Sequence, residues 1–176
     1  EQSELPYPTE YFDVIIANQV FEHVRDFENM INRLIECLKR DGIIYLHFPT
    51  KEVLREGHIG IPLAHWFSKD SKLRYYYVLF LRYMGLGYFK GDKSPKLWTK
   101  DALQWIDTYC YYRGSNDVRR MLENYFVIKN VEIDYIKYRA KLPALKALFN
   151  IKVLKNFYEG LFRLLGFNAY ELRLKS

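Results

Sequence analysis

Apolar positions follow two different periods along this chain. Residues 12–17 (FDVIIA) and 43–48 (IIYLHF) are short continuous apolar runs rich in β-branched and aromatic side chains. Such runs suit strands buried on both faces, as in a parallel sheet. Between them the period changes to helical spacing. Val20, Phe21, Val24, Phe27, Met30, Ile31, Leu34, Ile35 and Leu38 share one face, with polar residues opposite. Val24-Arg25-Asp26 divides this stretch into a short turn and a main helix, with Asp26 as N-cap. Lys39 and Arg40 are placed at the negative end of the helix dipole, with Gly42 as its stop. Strand, helix and strand with short connections make a βαβ unit, which requires parallel strands and a right-handed crossover.

After Pro49 the pattern loosens. Residues 50–70 read as loop, with Gly57, Gly60 and Pro62. An aromatic helix is predicted over 71–84, ended by Gly85 and Gly87. A linker with Gly91 and Pro95 leads to a helix starting near Thr99-Lys100-Asp101 and reaching Tyr111. A further helix over 115–124 takes Ser115 or Asn116 as cap. Residues 126–138 (FVIKNVEIDYIKY) alternate, which predicts a strand with one wetter face or at an edge. One or two amphipathic helices follow over 143–165, opened by Pro143. Residues 168–174 (NAYELRL) alternate again and predict a final strand.

The 176 residues fit one domain with a real core, and 49% hydrophobic against 27% charged excludes disorder. Net charge is +6 but divided. Residues 1–70 hold 7 basic and 12 acidic residues, and residues 71–176 hold 20 and 9. A basic, aromatic-rich second half points to an anionic partner: a phosphorylated or carboxylated substrate, a membrane surface or a nucleic acid. An ordinary solvated surface has the same composition. Cys37 and Cys110 share no metal-ligand or disulfide spacing, so a reducing, cytoplasmic setting and no metal site are expected. Tyr75 to Leu81, the most apolar run, is too short to span a bilayer at roughly 20 residues.

The order of short motifs is more specific than any one of them. Leu5-Pro6-Tyr7-Pro8 is followed by Phe12-Asp13-Val14-Ile15-Ile16, Asn18-Gln19, Glu22-His23-Val24 and Leu38-Lys39-Arg40-Asp41-Gly42. This succession resembles the middle of a class I S-adenosylmethionine-dependent methyltransferase of the group that methylates small molecules. Arg40-Asp41 replaces that group's Pro-Gly, which alters turn chemistry only. The resemblance implies an α/β fold: a partial Rossmann-like, mostly parallel sheet ending in an antiparallel strand pair, with helical insertions. It implies one truncated domain over 1–176, in which 50–114 is a substrate-side insertion or lid. Residues 139–167 would be a helical insertion between the last two strands. The family's glycine-rich loop is absent from this sequence. The resemblance therefore implies a C-terminal part of a domain, or a degenerate relative that no longer binds the cofactor.

In an open α/β sheet, ligands sit beyond the carboxyl ends of the strands. By resemblance, Ala17, Asn18 and Gln19 would flank S-adenosylmethionine, and Glu1 or Gln2 would meet its adenine amino group. Methyl transfer needs in-line positioning and, for an acidic acceptor, a proton acceptor. His58, in the Gly-rich loop EGHIGIPLAHW, and His23, in the Glu-His pair, are the catalytic candidates. Loop structure, capping and packing are the plainer roles for them. His47 reads as a core histidine, and His65 shares the His58 loop. Tyr75, Tyr76, Tyr77, Phe80 and Tyr83 read as core plus an oligomer surface, or as a lid over an aromatic acceptor. The helices at 143–165 read as docked on the domain, or as lying on a membrane. The expected function is methyl transfer to a small-molecule acceptor, anionic or aromatic. The alternatives are a nucleic-acid methyltransferase, disfavoured because Asn18-Gln19-Val20-Phe21 lacks the Pro-Pro-aromatic clamp for a flipped base, and a non-catalytic binding module.

Overall fold

The computed structural model describes residues 6–139, 141, 149, 151, 154–166 and 168–175. In chain order, its elements are β1 (Phe12–Asn18), a 3-10 turn (Phe21–His23), α1 (Phe27–Cys37) and β2 (Leu38–His47). Then come α2 (Lys72–Tyr83), α3 (Pro95–Tyr109), α4 (Ser115–Glu123), β3 (Phe126–Asn130), α5 (Glu132–Arg139), α6 (Lys155–Leu164) and β4 (Ala169–Leu174). The four strands form one sheet in the order β1-β2-β4-β3.

The βαβ unit is present. β1 and β2 are parallel, in register from Val14↔Ile43 to Asn18↔His47. β4 enters between β2 and β3, antiparallel to both. The chain therefore ends in an antiparallel pair, as expected. The expectation of a mostly parallel sheet is corrected among the described residues, where one of three pairings is parallel. The expectation that β1 is buried on both faces also fails. Among the described residues β1 has a strand neighbour on one side only, and Val14 and Ile16 are exposed.

The main core is built from Ile44 and Leu46 of β2 and Phe48 just after it, with Tyr170 and Leu172 of β4. Phe27 and Ile31 of α1 and Val118 and Leu122 of α4 pack on them. Each such side chain contributes roughly 1.5–3 kcal/mol on burial. β4 lies between β2 and β3 and is buried from Ala169 to Leu172, so its alternation does not mean a wet face there.

Asp26 caps α1, its carboxylate accepting from the Asn29 N–H at 3.1 Å. The end of α1 differs from the expectation. The helix stops at Cys37, and Lys39, Arg40 and Gly42 lie in β2, where Lys39 pairs with Asp13 at 2.8 Å. Gly42 serves the bulge there: a Cβ would stand 2.7 Å from Leu38 Cδ1 and 2.9 Å from the Lys39 carbonyl oxygen. α3 starts earlier than expected, because Ser94 caps it and Pro95 occupies the first turn. The strand expected over 126–138 ends at Asn130. Acidic Glu132 and Asp134 in the first turn and basic Lys137 and Arg139 in the last then favour α5. The predicted helices from Pro143 fall mostly outside the described residues, which show α6 over the second part.

Segment 50–114 packs a second core of its own, in which Ile59, Ile61, Val78, Trp98, Ala102 and Ile106 meet. Val78 and Leu79 bury one face of α2, while Tyr76, Phe80 and Tyr83 stay exposed. Among the described residues no helix is long and apolar enough to cross a membrane.

Candidate active site

Parallel pairing brings the carboxyl ends of β1 and β2 to one rim, at Asn18↔His47. The chain leaves β1 through Gln19, whose φ of 56° is left-handed and turns the backbone sharply. The Gln19 N–H is tied to the His47 carbonyl at 2.7 Å. The 3-10 turn follows at once and carries Glu22 and His23. Loop 50–66 leaves β2 and carries Glu56 and His58. Cys110 closes the end of α3.

These three segments converge. His23 Nδ1 lies 2.7 Å from the Tyr109 carbonyl oxygen, which can only accept, so Nδ1 carries the proton. His58 Nδ1 lies 2.8 Å from Glu56 Oε1 and donates to it. Both Nε2 atoms are thereby turned toward each other, 3.2 Å apart. The Cys110 sulfur sits 3.7 Å from His58 Nδ1 and 3.9 Å from His23 Nδ1. Trp105 covers both rings, with centroids 5.1 Å from His58 and 6.1 Å from His23.

The electrostatics follow from burial and these bonds. Burial pushes the Glu56 carboxyl up. Donation from His58, Tyr112 and the Ile59 N–H outweighs it and holds Glu56 below the usual carboxylate range. The Cys110 sulfur and then the Glu56 carboxylate raise His58 to about 10, against burial. Burial, followed by the Glu56 charge, pushes the Tyr112 phenol far up, so it stays a donor. Glu22 is buried, and neither carboxylate oxygen has a hydrogen-bond partner among the described residues. Burial raises its pKa, and its Oε1 stands 4.0 Å from His23 Nε2.

His58 opens onto a cleft of about 560 Å³ walled by Tyr88, Phe89, Trp98 and Trp105, with Lys93 and Asp101 paired at 2.6 Å beside them. That volume suits a small ligand. Two glycines let the walls close in. Gly60 has φ +72° and a Cβ there would meet the Tyr88 ring at 2.8 Å, while Gly87 has φ +101° and faces Trp98 at 2.6 Å. An apolar, aromatic cleft ending in an imidazole pair can hold a flat or acidic ligand and exchange a proton with it.

The structure thus brings His23 and His58 together. It places Ala17, Asn18 and Gln19 on the neighbouring rim, where His47 Nδ1 lies 2.7 Å from Asn18 Oδ1 and 3.3 Å from Gln19 Nε2. Glu1 and Gln2 lie outside the described residues. His47 is half-buried and stacks on Tyr135 at 4.8 Å. His65 is buried against Tyr112, with Nε2 3.1 Å from the Lys51 carbonyl oxygen, and burial lowers its pKa. Sequence reasoning missed Glu56, Trp105, Cys110 and Tyr112. Glu56 was readable as the carboxylate two residues before His58. The other three enter only through the way α3 packs.

The model of a family described as methyltransferase domain matches residues 1–125. Malonyl-[acyl-carrier protein] O-methyltransferase of Calditerrivibrio nitroreducens is 27% identical over 150 residues, covering 70% of this chain and 60% of that protein. The chain therefore spans about 60% of the length of this curated relative. Among solved structures, phosphoethanolamine N-methyltransferase 2 of Haemonchus contortus, in complex with phosphomonomethylethanolamine and S-adenosylhomocysteine, aligns with 94% of this chain and 33% of its own. The TM-score is 0.35 and the identity 10%.

Proposed function

The chain belongs to the methyltransferase domain family, and from that membership we propose that it transfers a methyl group from S-adenosylmethionine to a small-molecule acceptor carrying an acidic oxygen. The observation that carries this reading is the convergence of His23 and His58 beside an aromatic cleft, one segment beyond the shared carboxyl rim of β1 and β2. The fold expected from the family, a Rossmann-like sheet, is part of the same proposal.

The rim residues fit the cofactor. Asn18 and Gln19 expose amide side chains above buried Ala17, at the strand end where an open α/β sheet holds its ligand. Ala17, Asn18 and Gln19 would hold S-adenosylmethionine there, and it supplies a sulfonium methyl that is already electrophilic. What this chain must add is position and charge. Trp105, Trp98 and Tyr88 exclude water from one side of the cleft and orient a flat or extended acceptor. His58, held by Glu56 and raised to about 10, would hold the acceptor's oxygen as the anion, and His23, held by the Tyr109 carbonyl, would take up its proton. The malonyl-[acyl-carrier protein] relative, by its name, methylates an oxygen, which supports an acidic acceptor for this chain too. A cytoplasmic location, expected from the spacing of Cys37 and Cys110, belongs to the same proposal.

The test uses protein expressed from its complete coding sequence and labelled S-adenosylmethionine against a panel of carboxylic acids and phenols. His58→Asn and His23→Asn are each expected to lower kcat/KM by about 10²-fold or more. Unchanged kcat/KM in both variants would remove the histidines from the active site.

A further inference from the structure

The His23–His58 pair poses a problem that a proton alone does not solve. The Tyr109 carbonyl and the Glu56 carboxylate engage the two Nδ1 atoms, so the two Nε2 atoms are left to share a proton or to bind an ion. They face each other at 3.2 Å. Two nitrogens bound to one tetrahedral ion at 2.0–2.1 Å stand about 3.3 Å apart. One nitrogen of each ring and the Cys110 sulfur also lie within 4.8 Å of one another. On the His23 side, the Glu22 carboxylate is buried at 1% exposure, with no hydrogen-bond partner for either oxygen among the described residues. A shared proton would settle the two imidazoles. It would leave the buried Glu22 carboxylate 4.0 Å from His23 Nε2 and without a hydrogen bond among the described residues, a costly setting for a charge.

We propose that His23 and His58, through one nitrogen of each ring, and Cys110 Sγ bind a divalent transition-metal ion of the zinc class, with the Glu22 carboxylate beside them at 4.0 Å from His23 Nε2. Two imidazoles with a thiolate form a borderline-soft set, which selects zinc or cobalt over magnesium or calcium. Binding expels the proton between the rings and the thiol proton to solvent. The ion's +2 charge is then matched by Cys110 thiolate and Glu22 carboxylate. Glu56 and the Tyr109 carbonyl act as the outer partners that fix each ring's tautomer. Both histidines border open clefts, so one position remains for an oxygen of the acceptor. The use of the ion to hold the acceptor rests on the methyl-transfer reading; its binding does not.

The experiment is a cobalt(II) titration of chelator-treated protein, expressed from its complete coding sequence and followed by visible and near-ultraviolet absorption. One cobalt per chain is expected, with tetrahedral d–d bands and a thiolate-to-cobalt charge-transfer band, both displaced by zinc. Cys110→Ser loses the charge-transfer band. Glu56→Gln weakens binding about 10- to 100-fold. The double variant His23→Asn/His58→Asn loses the spectrum. A wild-type protein with no saturable spectrum overturns the centre, and this arm needs no variant to fold. So does a spectrum that survives in the double variant. Calorimetry with S-adenosylmethionine on the same preparations separates the two readings. Cofactor binding without a cobalt spectrum overturns the metal centre alone. A cobalt spectrum without cofactor binding supports the centre and counts against methyl transfer.

Discussion

Glu132→Gln is expected to stabilise the protein at alkaline pH and to do nothing in acid. Glu132 opens α5, is fully buried, and has no hydrogen-bond partner for its oxygens among the described residues. Arg163 Nε is 3.7 Å away, too far to donate, and Glu159 opposes it. Burial dominates and pushes the Glu132 carboxyl from 4.5 up to about 7, with the attraction of Arg163 already offset. A carboxyl raised on folding gives the native state its full advantage below the unfolded value. That advantage is lost as pH rises through the folded value, here between about 4.5 and 7. The gap is worth about 3 kcal/mol at 1.36 kcal/mol per pH unit. Glutamine keeps the shape and cannot ionise. At pH 8 the variant should therefore exceed the wild type by about 3 kcal/mol, or roughly 6–12 °C in Tm for a domain of this size. At pH 4.5 the two should coincide within about 0.5 kcal/mol. Guanidinium unfolding at both pH values, with equal m, reads the difference as a shift in midpoint. A glutamine variant less stable than wild type at pH 8 would show an ionised carboxylate well paired with Arg163, and the argument from burial would be wrong.

Three further outcomes follow from local geometry. Arg74 is buried, donates to both Asp107 oxygens at 2.7 and 2.9 Å and to the Ala64 carbonyl at 2.8 Å. Arg74→Ala should cost about 3 kcal/mol in denaturant unfolding, the low end for a broken buried pair because Asp107 keeps some water; a loss below about 1 kcal/mol would show the pair is solvated. Gly87→Ala puts a Cβ 2.6 Å from the Trp98 ring at φ +101°, so about 1–3 kcal/mol and a changed Trp98 fluorescence are expected, and an unchanged melting temperature would contradict the close approach. Asp26→Ala removes the α1 cap and should lower stability by about 1 kcal/mol with cleft ligand binding unchanged, as checked by thermal melts.

How much of this was readable beforehand varies with range along the chain. The βαβ unit was legible because its signals are local: two apolar runs, a 3.6-residue stripe and Asp26 as a cap. The same local reading failed at 131–139. Residues 126–138 alternate, and in α5 apolar Ile133 and Ile136 also sit three apart, so one stretch satisfies both periods. Gly42 misled for a related reason. A glycine after a helical stripe usually closes a helix, but here steric space beside Leu38 requires it inside a bulged strand. Sheet order is not a local property. The place of β4 between β2 and β3 depends on which edges remain free, and no residue of 168–174 announces it. At the site, His23 and His58 could be singled out by position, but their meeting across 35 residues could not.

That meeting is enforced by one segment whose composition gives no hint of it. Residues 110–113 leave α3 and run beside the 3-10 turn, where the Tyr111 N–H donates to the Glu22 carbonyl at 2.7 Å. The Arg113 guanidinium then gathers the carbonyls of Phe21, Val24, Arg25 and Tyr111, at 2.7 to 3.4 Å, and lies over the Phe27 ring at 5.2 Å. Carbonyls at the end of so short a turn have no helical partner, and a planar five-donor fork satisfies several at once. The second core fixes the other side, because Ile59 and Ile61 are buried in it on either side of Gly60 and just after His58. His23 is thus anchored to the sheet and His58 to the helical segment, with Arg113 as the clasp between them. The 3.2 Å approach of the two Nε2 atoms is a property of how two cores dock, which is why the chemistry of this site is set by residues that never enter it.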